Sequence, residues 1–593
     1  MTTRATRGPR RRTVVALAVV LAVLGAFVFR LVDIQIVHAD DHIADSMDWG
    51  LGPSQAIAGK RGSIVDEKGT VLASSALVYD AQLDPMLIMQ LEEPKYEKDR
   101  PMSWAEASEK IAAITGQSTD EVRQIVAEAH AENEHSRYAK LKNGLSTDQY
   151  LALDKLDLPY LAMTSRSVRV YPNGAVAGNI IGFVDGEGKG RAGIEELDGT
   201  CLAAKNGKRS WLSGKNGVIV PGSERVTPAS DGGTVKLTID ADLNWYLQQM
   251  LAEEVAHMGA KNGTITVIEA KTGKIRAAAE VPSLDPIDLN CVPSYTAQLF
   301  SRTYEPGSTF KPITAATLLD QKAATPGSVV SAADREFFPD AEINDAFSHP
   351  TYQYTLAGAL IDSSNVALSK FGTMVSVETR YEYLRKFGVG TPTAVDFPGE
   401  ESGGVRDPGD KPWDAQTVYA TTFGQAFTVT PAQVVSAYQT LANGGKRIDL
   451  SLVESCTDAD GVEHAVKPKT EQVVSESTAA QVRRMLENVA VQGSLADQVK
   501  VPGYRVGIKT GTAEVPNGNG DYKDGVYFTS IVGVAPIEDP QYIVMVTMDE
   551  PTRLTMSNAT APALQKALTQ VLKTYRVAPS TQPMDALLPK FAE

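Results

Sequence analysis

The chain is poor in the residues that build metal sites and covalent frameworks. Its 593 residues include three cysteines, Cys201, Cys291 and Cys456, far apart and without C-x-x-C spacing. That pattern indicates neither a zinc site nor a disulfide framework. One bridge with one free thiol is compatible with it, and three unpaired, buried cysteines are the expectation. Histidines number seven, and no H-E-x-x-H occurs. His38 and His42 flank Asp40-Asp41, which reads as solvated surface and not as a metal site. Positive charge is in deficit too. Lys and Arg total 57 against 72 acidic residues, a net charge of −15, which argues against nucleic acid as a partner. There is no internal repeat. The length implies several modules, and a hydrophobic fraction of 43% can build real cores.

The amino terminus carries a long apolar run, Thr13 to Phe29, with an amphipathic extension from Arg30 to Val37. The run is near the lower limit for crossing a bilayer and uses the extension to reach across. Arg4, Arg7, Arg10, Arg11 and Arg12 precede it. The positive-inside rule then makes residues 1–12 a cytoplasmic tail, 13–37 a single transmembrane anchor, and the remainder extracellular. A cleavable signal peptide, with Val37-His38-Ala39 as a weak cleavage site, is the rival reading; the apolar segment is long for one.

Three short motifs carry the chemistry. Ser308-Thr309-Phe310-Lys311 is an S-x-x-K, and chance alone gives roughly one or two of these in a chain of this length. Its weight comes from order: Ser363-Ser364-Asn365 follows roughly 55 residues later, and Lys509-Thr510-Gly511 after that. Gly307 permits a sharp turn, and residues 312–319 read as a helix with Ser308 in its first turn. Positions three apart share a helix face, so Lys311 can reach the Ser308 hydroxyl. A serine needs a base, and lysine is one only when neutral. Burial, the positive helix start and a nearby cation such as Lys509 would lower its pKa. An earlier K-T-G, Lys271 to Gly273, sits between two strand-like flanks and reads as a hairpin turn without catalytic role. The later copy lies within a strand pattern, where Gly511 would let a substrate backbone approach. Pro516 to Gly525 reads as a loop that could border the site.

With these motifs in place, the sequence resembles the class B penicillin-binding proteins, from about residue 14 to about residue 577. Further segments carry the likeness: Arg61-Gly62-Ser63-Ile64-Val65-Asp66, Arg169-Val170-Tyr171-Pro172, Gly193-Ile194-Glu195, Tyr304-Glu305-Pro306-Gly307, Phe423-Gly424-Gln425, Thr430-Pro431 and Asn443-Gly444-Gly445. Ile287 stands where the family usually has asparagine. The resemblance implies an α+β protein. A transpeptidase domain of the penicillin-binding-protein and serine β-lactamase type, an antiparallel sheet with flanking helices, follows an α+β pedestal and one transmembrane helix. The expected divisions are a non-catalytic pedestal of the dimerisation type over 40–225, the transpeptidase domain over 234–577, and a disordered tail over 578–593. Residues 103–157 read as helical, with a cap at Ser118, and Leu564, Leu568, Val571, Leu572 and Tyr575 mark a late helix that packs on the sheet.

The activity implied is that of a serine-type D,D-transpeptidase. Ser308 would attack the carbonyl between the D-alanines of a peptidoglycan stem peptide, and Lys311 would take its proton. Ser363 would relay a proton to the leaving amine, and Asn365 would hold a substrate amide and orient Lys311. Lys509 would supply positive charge; Thr510, Gly511 and Thr512 would bind substrate. The N–H groups of Ser308 and Thr512 would form the oxyanion hole. An acceptor amine would then resolve the acyl-enzyme into a cross-link. No metal or organic cofactor is implied. β-Lactams would acylate the same serine, and a membrane glycan polymerase and other divisome proteins would be partners. The segment Arg30 to Gln35 looks more like cell-division members than elongation members. A hydrolase, either carboxypeptidase or β-lactamase, uses the same triplets; the pedestal and anchor favour the transpeptidase over it. Intact triplets argue against a non-enzymatic sensor or scaffold.

Overall fold

The structure, a computed structural model, describes residues 9–39, 41, 54–98, 100–212, 220, 223–410, 414–518 and 522–592. Arg4, Arg7, Asp40, His42 and the centre of the loop expected at 516–525 lie outside them. The chain forms two compact units, each assembled from separate segments: 1–60, 77–167 and 204–231 in the smaller, and 61–76, 168–203 and 232–593 in the larger.

In the smaller unit, the apolar run forms a helix, Pro9–Val32, that continues as a π-helical turn, Asp33–Val37. Its large apolar side chains, from Val14 to Val37, are exposed, as a helix with no polar face must be unless lipid or protein covers it. Length and composition suit Thr13–Val37 to crossing a membrane. Further on, Ser118 opens Thr119–Glu132 with a complete capping box to Glu121. The region expected to be helical is interrupted by a strand, Ala139–Leu145. There Ala139, Leu141 and Leu145 are buried while Lys140 is exposed, an alternation that fits a half-buried strand better than a helix.

The larger unit is organised around α1 (Ala241–Met258), β1 (Asn262–Glu269), β2 (Ile275–Val281), α2 (Lys311–Asp320), α3 (Asn365–Gly372), β3 (Gly507–Pro516), β4 (Tyr522–Ala535), β5 (Tyr542–Asp549) and α4 (Ala561–Thr574). The five strands form one antiparallel sheet in the order β2-β1-β5-β4-β3. The Lys271–Gly273 triplet is the β1–β2 turn. β5 is buried along its whole length, so both sheet faces are covered. The α1–α4 pair packs on the sheet, as does the mutually packed pair Pro431–Ala442 and Glu476–Gln492. Leu564, Leu568, Val571 and Leu572 of α4 are all buried. β3 is the edge strand, which leaves its outer side open to a neighbouring element or ligand.

The early segments of this unit close on a buried charge cluster. Glu195, fully buried, accepts from Arg61 Nε at 2.7 Å and Arg169 Nε at 2.6 Å. Arg169 also donates to the Gly62 carbonyl at 2.5 Å. Two sequence expectations are corrected here. The cysteines are not all unpaired and buried: Cys201 and Cys456, 255 residues apart, form a disulfide, and Cys291 is free and exposed. A pairing across that separation leaves no local mark in sequence. The segment after α4 is not disordered. Ser580 N–H donates to Gly503 O at 2.9 Å, Leu588 N–H to Asn488 Oδ1 at 2.9 Å, and Ala592 N–H to Gln353 O at 2.9 Å. Its contacts are to backbone and long-range partners, which composition does not reveal.

Candidate active site

The segment that carries Ser308 is fixed before the helix begins. Gly307 N–H donates to Gly424 O at 2.8 Å, and Gly307–Phe310 forms a 3-10 turn that runs into α2. Pro312 sits in the first turn of α2, where its missing N–H costs nothing. Thr309 Oγ1 donates to Pro306 O at 2.7 Å, and the buried Tyr438 hydroxyl donates to Thr309 O at 2.8 Å. Ser308 is thereby held half-exposed on the wall of a cleft of about 710 Å³. Ser363, Asn365, Thr510 and Thr512 line the same cleft. The three motifs share one cavity despite their separation in the chain.

Lys311 and Lys509 lie beneath that surface, 0% and 1% exposed. Both converge on Ser363. Lys311 Nζ donates to the Ser363 carbonyl and, at 3.1 Å, to its hydroxyl; Lys509 Nζ donates to the same hydroxyl at 2.9 Å. Among the described residues neither amine forms an ion pair. Burial, and then the Lys509 charge, push the Lys311 amine well below the usual lysine range, with Asp345 opposing. Burial brings Lys509 down to about 7. A lysine in that state can accept a proton near neutral pH, which a solvent-exposed lysine cannot.

Ser363 is a non-glycine residue at φ 59°, a costly backbone state that its surroundings must enforce. One side is held by the start of α3. Ser364 caps it, with its hydroxyl accepting from Ala367 N–H at 2.9 Å and donating to Asp345 Oδ2 at 2.6 Å. Asp345 Oδ1 accepts from the N–H groups of Asn365 at 2.5 Å and Val366 at 3.0 Å. The carboxylate thus satisfies the free amides of a helix start, where negative charge is favoured. His349 Nε2 lies 2.9 Å from Asp345 Oδ2. Asn365 Nδ2 donates to Asn344 O at 2.9 Å, so its amide is fixed by the Ala341–Asn344 strand while the side chain borders the cleft.

On the opposite wall, Lys509, Thr510, Gly511 and Thr512 pair with Val532, Ile531, Ser530 and Thr529. Thr510 and Thr512 face the cleft. Gly511 does not line it. A Cβ there would lie 2.5 Å from Ser530 Oγ, 2.8 Å from Thr309 Cγ2 and 3.1 Å from Pro306 O, so the close approaches it permits are those of the facing strand and of the segment that carries Ser308. The strands flanking the expected loop extend to Pro516 and begin again at Tyr522. The Tyr522 hydroxyl donates to Glu305 Oε2 at 3.0 Å, and Ala426 N–H donates to Glu305 Oε1 at 3.0 Å. Burial raises the Glu305 carboxyl above the usual range. Sequence reasoning did not single out Asp345, His349 or Tyr438. No fixed spacing links them to the motifs. Only the S-S-N serine, a strong helix cap, hinted that a partner would be drawn to the start of α3.

Comparison with known proteins identifies the family of the chain. A family model described as the penicillin binding protein transpeptidase domain matches residues 263–570, and one described as the penicillin-binding protein dimerisation domain matches residues 56–237. The chain is 33% identical over 440 residues to penicillin-binding protein PbpB of Mycolicibacterium smegmatis, covering 72% of this chain and 68% of that protein. It is 28% identical to the probable peptidoglycan D,D-transpeptidase PbpC of Pseudomonas aeruginosa, with 92% of each chain covered. Among solved structures, penicillin binding protein 3 of Mycobacterium tuberculosis complexed with aztreonam is similar at TM-score 0.68 and 25% identity, covering 91% of this chain and 100% of that one.

Proposed function

The chain belongs to the penicillin-binding protein transpeptidase family and is a peptidoglycan D,D-transpeptidase, similar to those named FtsI and PBP3; from that premise we propose how its residues divide the work. Ser308 attacks the carbonyl between the two D-alanines of a stem peptide. Neutral Lys311 receives the serine proton, D-Ala leaves with a proton relayed through Ser363, and an ester to Ser308 remains. An amine of a second stem peptide then displaces Ser308 and forms the cross-link. The N–H groups of Ser308 and Thr512 face the developing oxyanion, an arrangement whose loss typically costs about 3 kcal/mol in the transition state. Asn365 holds a substrate amide. Thr510 and Thr512 form the wall against which the substrate carboxylate lies, with their hydroxyls as donors, and Lys509 lies beneath it.

The observation that carries this reading is the Ser363 hydroxyl, which lies within hydrogen-bond distance of two buried amines beside the Ser308 cleft. A structural serine does not require two desolvated lysines. Ser308 also takes β-lactams as an ester. The division into a 40–225 pedestal, a 234–577 catalytic domain and a 578–593 tail belongs to the reading, with residues 1–12 cytoplasmic and the catalytic domain outside the membrane. So does septal rather than elongation work beside a membrane glycan polymerase, supported by the Arg30–Gln35 segment. A Ser308→Ala variant is expected to lose all covalent labelling by a fluorescent penicillin. Persistent labelling would move the nucleophile elsewhere. A fluorescent fusion spread evenly over dividing cells would remove the septal part alone.

A further inference from the structure

The segment after α4 crosses back over the catalytic unit and ends beside Ser363. Arg484, Asn488, Gln492 and Arg505 anchor it along the way. Its last stretch adds to the Tyr352–Thr355 strand. Thr355 N–H donates to Lys590 O at 3.0 Å, and the Thr355 hydroxyl donates to Pro589 O at 2.6 Å. The Phe591 ring lies 4.4 Å from that of Tyr352 and 5.1 Å from that of Tyr354. Gly358 accommodates the crossing: a Cβ there would lie 1.8 Å from Lys590 O. This is a built contact, in which backbone pairing, ring packing and a missing side chain agree.

Lys590 is its functional end. Nζ donates to Asp362 Oδ1 at 2.7 Å, in a pair 28% and 16% exposed, and the residue lines the same cleft as Ser308. Asp362 immediately precedes Ser363. Its other oxygen accepts from the Tyr354 hydroxyl at 3.4 Å. Asp345 holds the residues after Ser363; Lys590 and Tyr354 hold the residue before it. The strained Ser363 backbone between them is over-determined from both sides, as a sparsely populated conformation requires.

We propose that Lys590 is a positioning residue for the acylation step, setting Ser363 against Lys311 and Lys509 through Asp362. The proposal rests on the catalytic reading above. Without the Lys590 charge, Asp362 keeps one weak partner in a half-buried site, the loop relaxes, and the Ser363 hydroxyl moves off the two amines. A small misplacement of that kind slows chemistry without weakening encounter with the substrate.

The test uses the full chain in detergent and a fluorescent penicillin, with stopped-flow separation of the initial binding constant from the acylation rate constant. Lys590→Met, which keeps the aliphatic stem, is expected to lower the acylation constant roughly tenfold while leaving the binding constant and the melting temperature in place. Lys590→Arg is expected to restore it. Asp362→Asn is expected to reproduce the loss, and the double variant to add nothing further. A wild-type acylation constant in Lys590→Met, additive losses in the double variant, or no rescue by arginine overturns the proposal. If Lys590→Met melts early, Asp362→Asn decides: an unchanged acylation constant overturns the idea, and a loss confined to that constant supports it. Wild-type protein that is not acylated at Ser308 would sink the catalytic reading instead.

Discussion

Two buried cationic clusters in the larger unit are solved in opposite ways. Arg61 and Arg169 enclose a carboxylate, Glu195, with charge-assisted hydrogen bonds on both of its oxygens. Lys311 and Lys509 enclose a hydroxyl, Ser363, and meet no carboxylate at hydrogen-bond distance among the described residues. A buried charge that serves structure is paired, because an unpaired one costs several kcal/mol. A buried amine left unpaired gives up its proton instead, and that is useful only to chemistry. Arginine stays charged in either setting, while lysine can be neutralised. The choice of residue therefore separates the two purposes before any activity is measured.

The contrast can be broken at its strongest point first. Lys311→Ala should lower the acylation rate by roughly 10³-fold, within the range for loss of a general base, and should leave the melting temperature nearly unchanged. A variant that melts early and acylates normally would make Lys311 structural. The reverse pattern is expected at the other cluster. Glu195→Ala leaves two buried guanidinium groups unpaired and should cost about 3–5 kcal/mol of stability, read from urea unfolding, while protein that is still folded acylates at the wild-type rate. Slow acylation by fully folded Glu195→Ala would show that the clusters are coupled.

The smallest effect sharpens the comparison through pH. Lys509 has a native pKa of about 7 against an ordinary 10.5. Between those values the unfolded chain holds a proton that the folded one has released. Stability therefore rises with pH across that window, by at most about 1.4 kcal/mol per pH unit. The melting temperature of wild type is expected to climb more between pH 7 and 9 than that of Lys509→Met. Parallel curves would mean that Lys509 stays charged when folded.

Much of the site was legible because its motifs are local. Ser308 and Lys311 share one helical turn, Ser363 and Asn365 sit at a capped helix start, and Lys509 to Thr512 lie on one strand. The partners that hold these motifs were less so. Asp345 comes from the stretch ahead of α3, Tyr438 from a helix more than a hundred residues from the Ser308 segment it braces, and Lys590 from a stretch whose composition reads as a tail. Gly511 was read as room for substrate, and the room is taken by residues 306–309. The strand Ala139–Leu145 was hidden between two well-capped helices, where period-2 burial is short and polar residues interrupt it.

By itself the sequence determined which chemistry is available: a serine, two lysines and an S-x-N in a fixed order, an apolar run of membrane-spanning length, and too few cysteines and histidines for a metal framework. Local rules suffice there, since turns, caps and face periodicity act over a few residues. Only the tertiary structure decided which amines are buried, which cysteines meet across 255 residues, and that the last segment returns to the cleft. Burial and long-range pairing depend on what packs on every side, and pKa values follow burial. Those facts belong to the folded chain and not to any stretch of it.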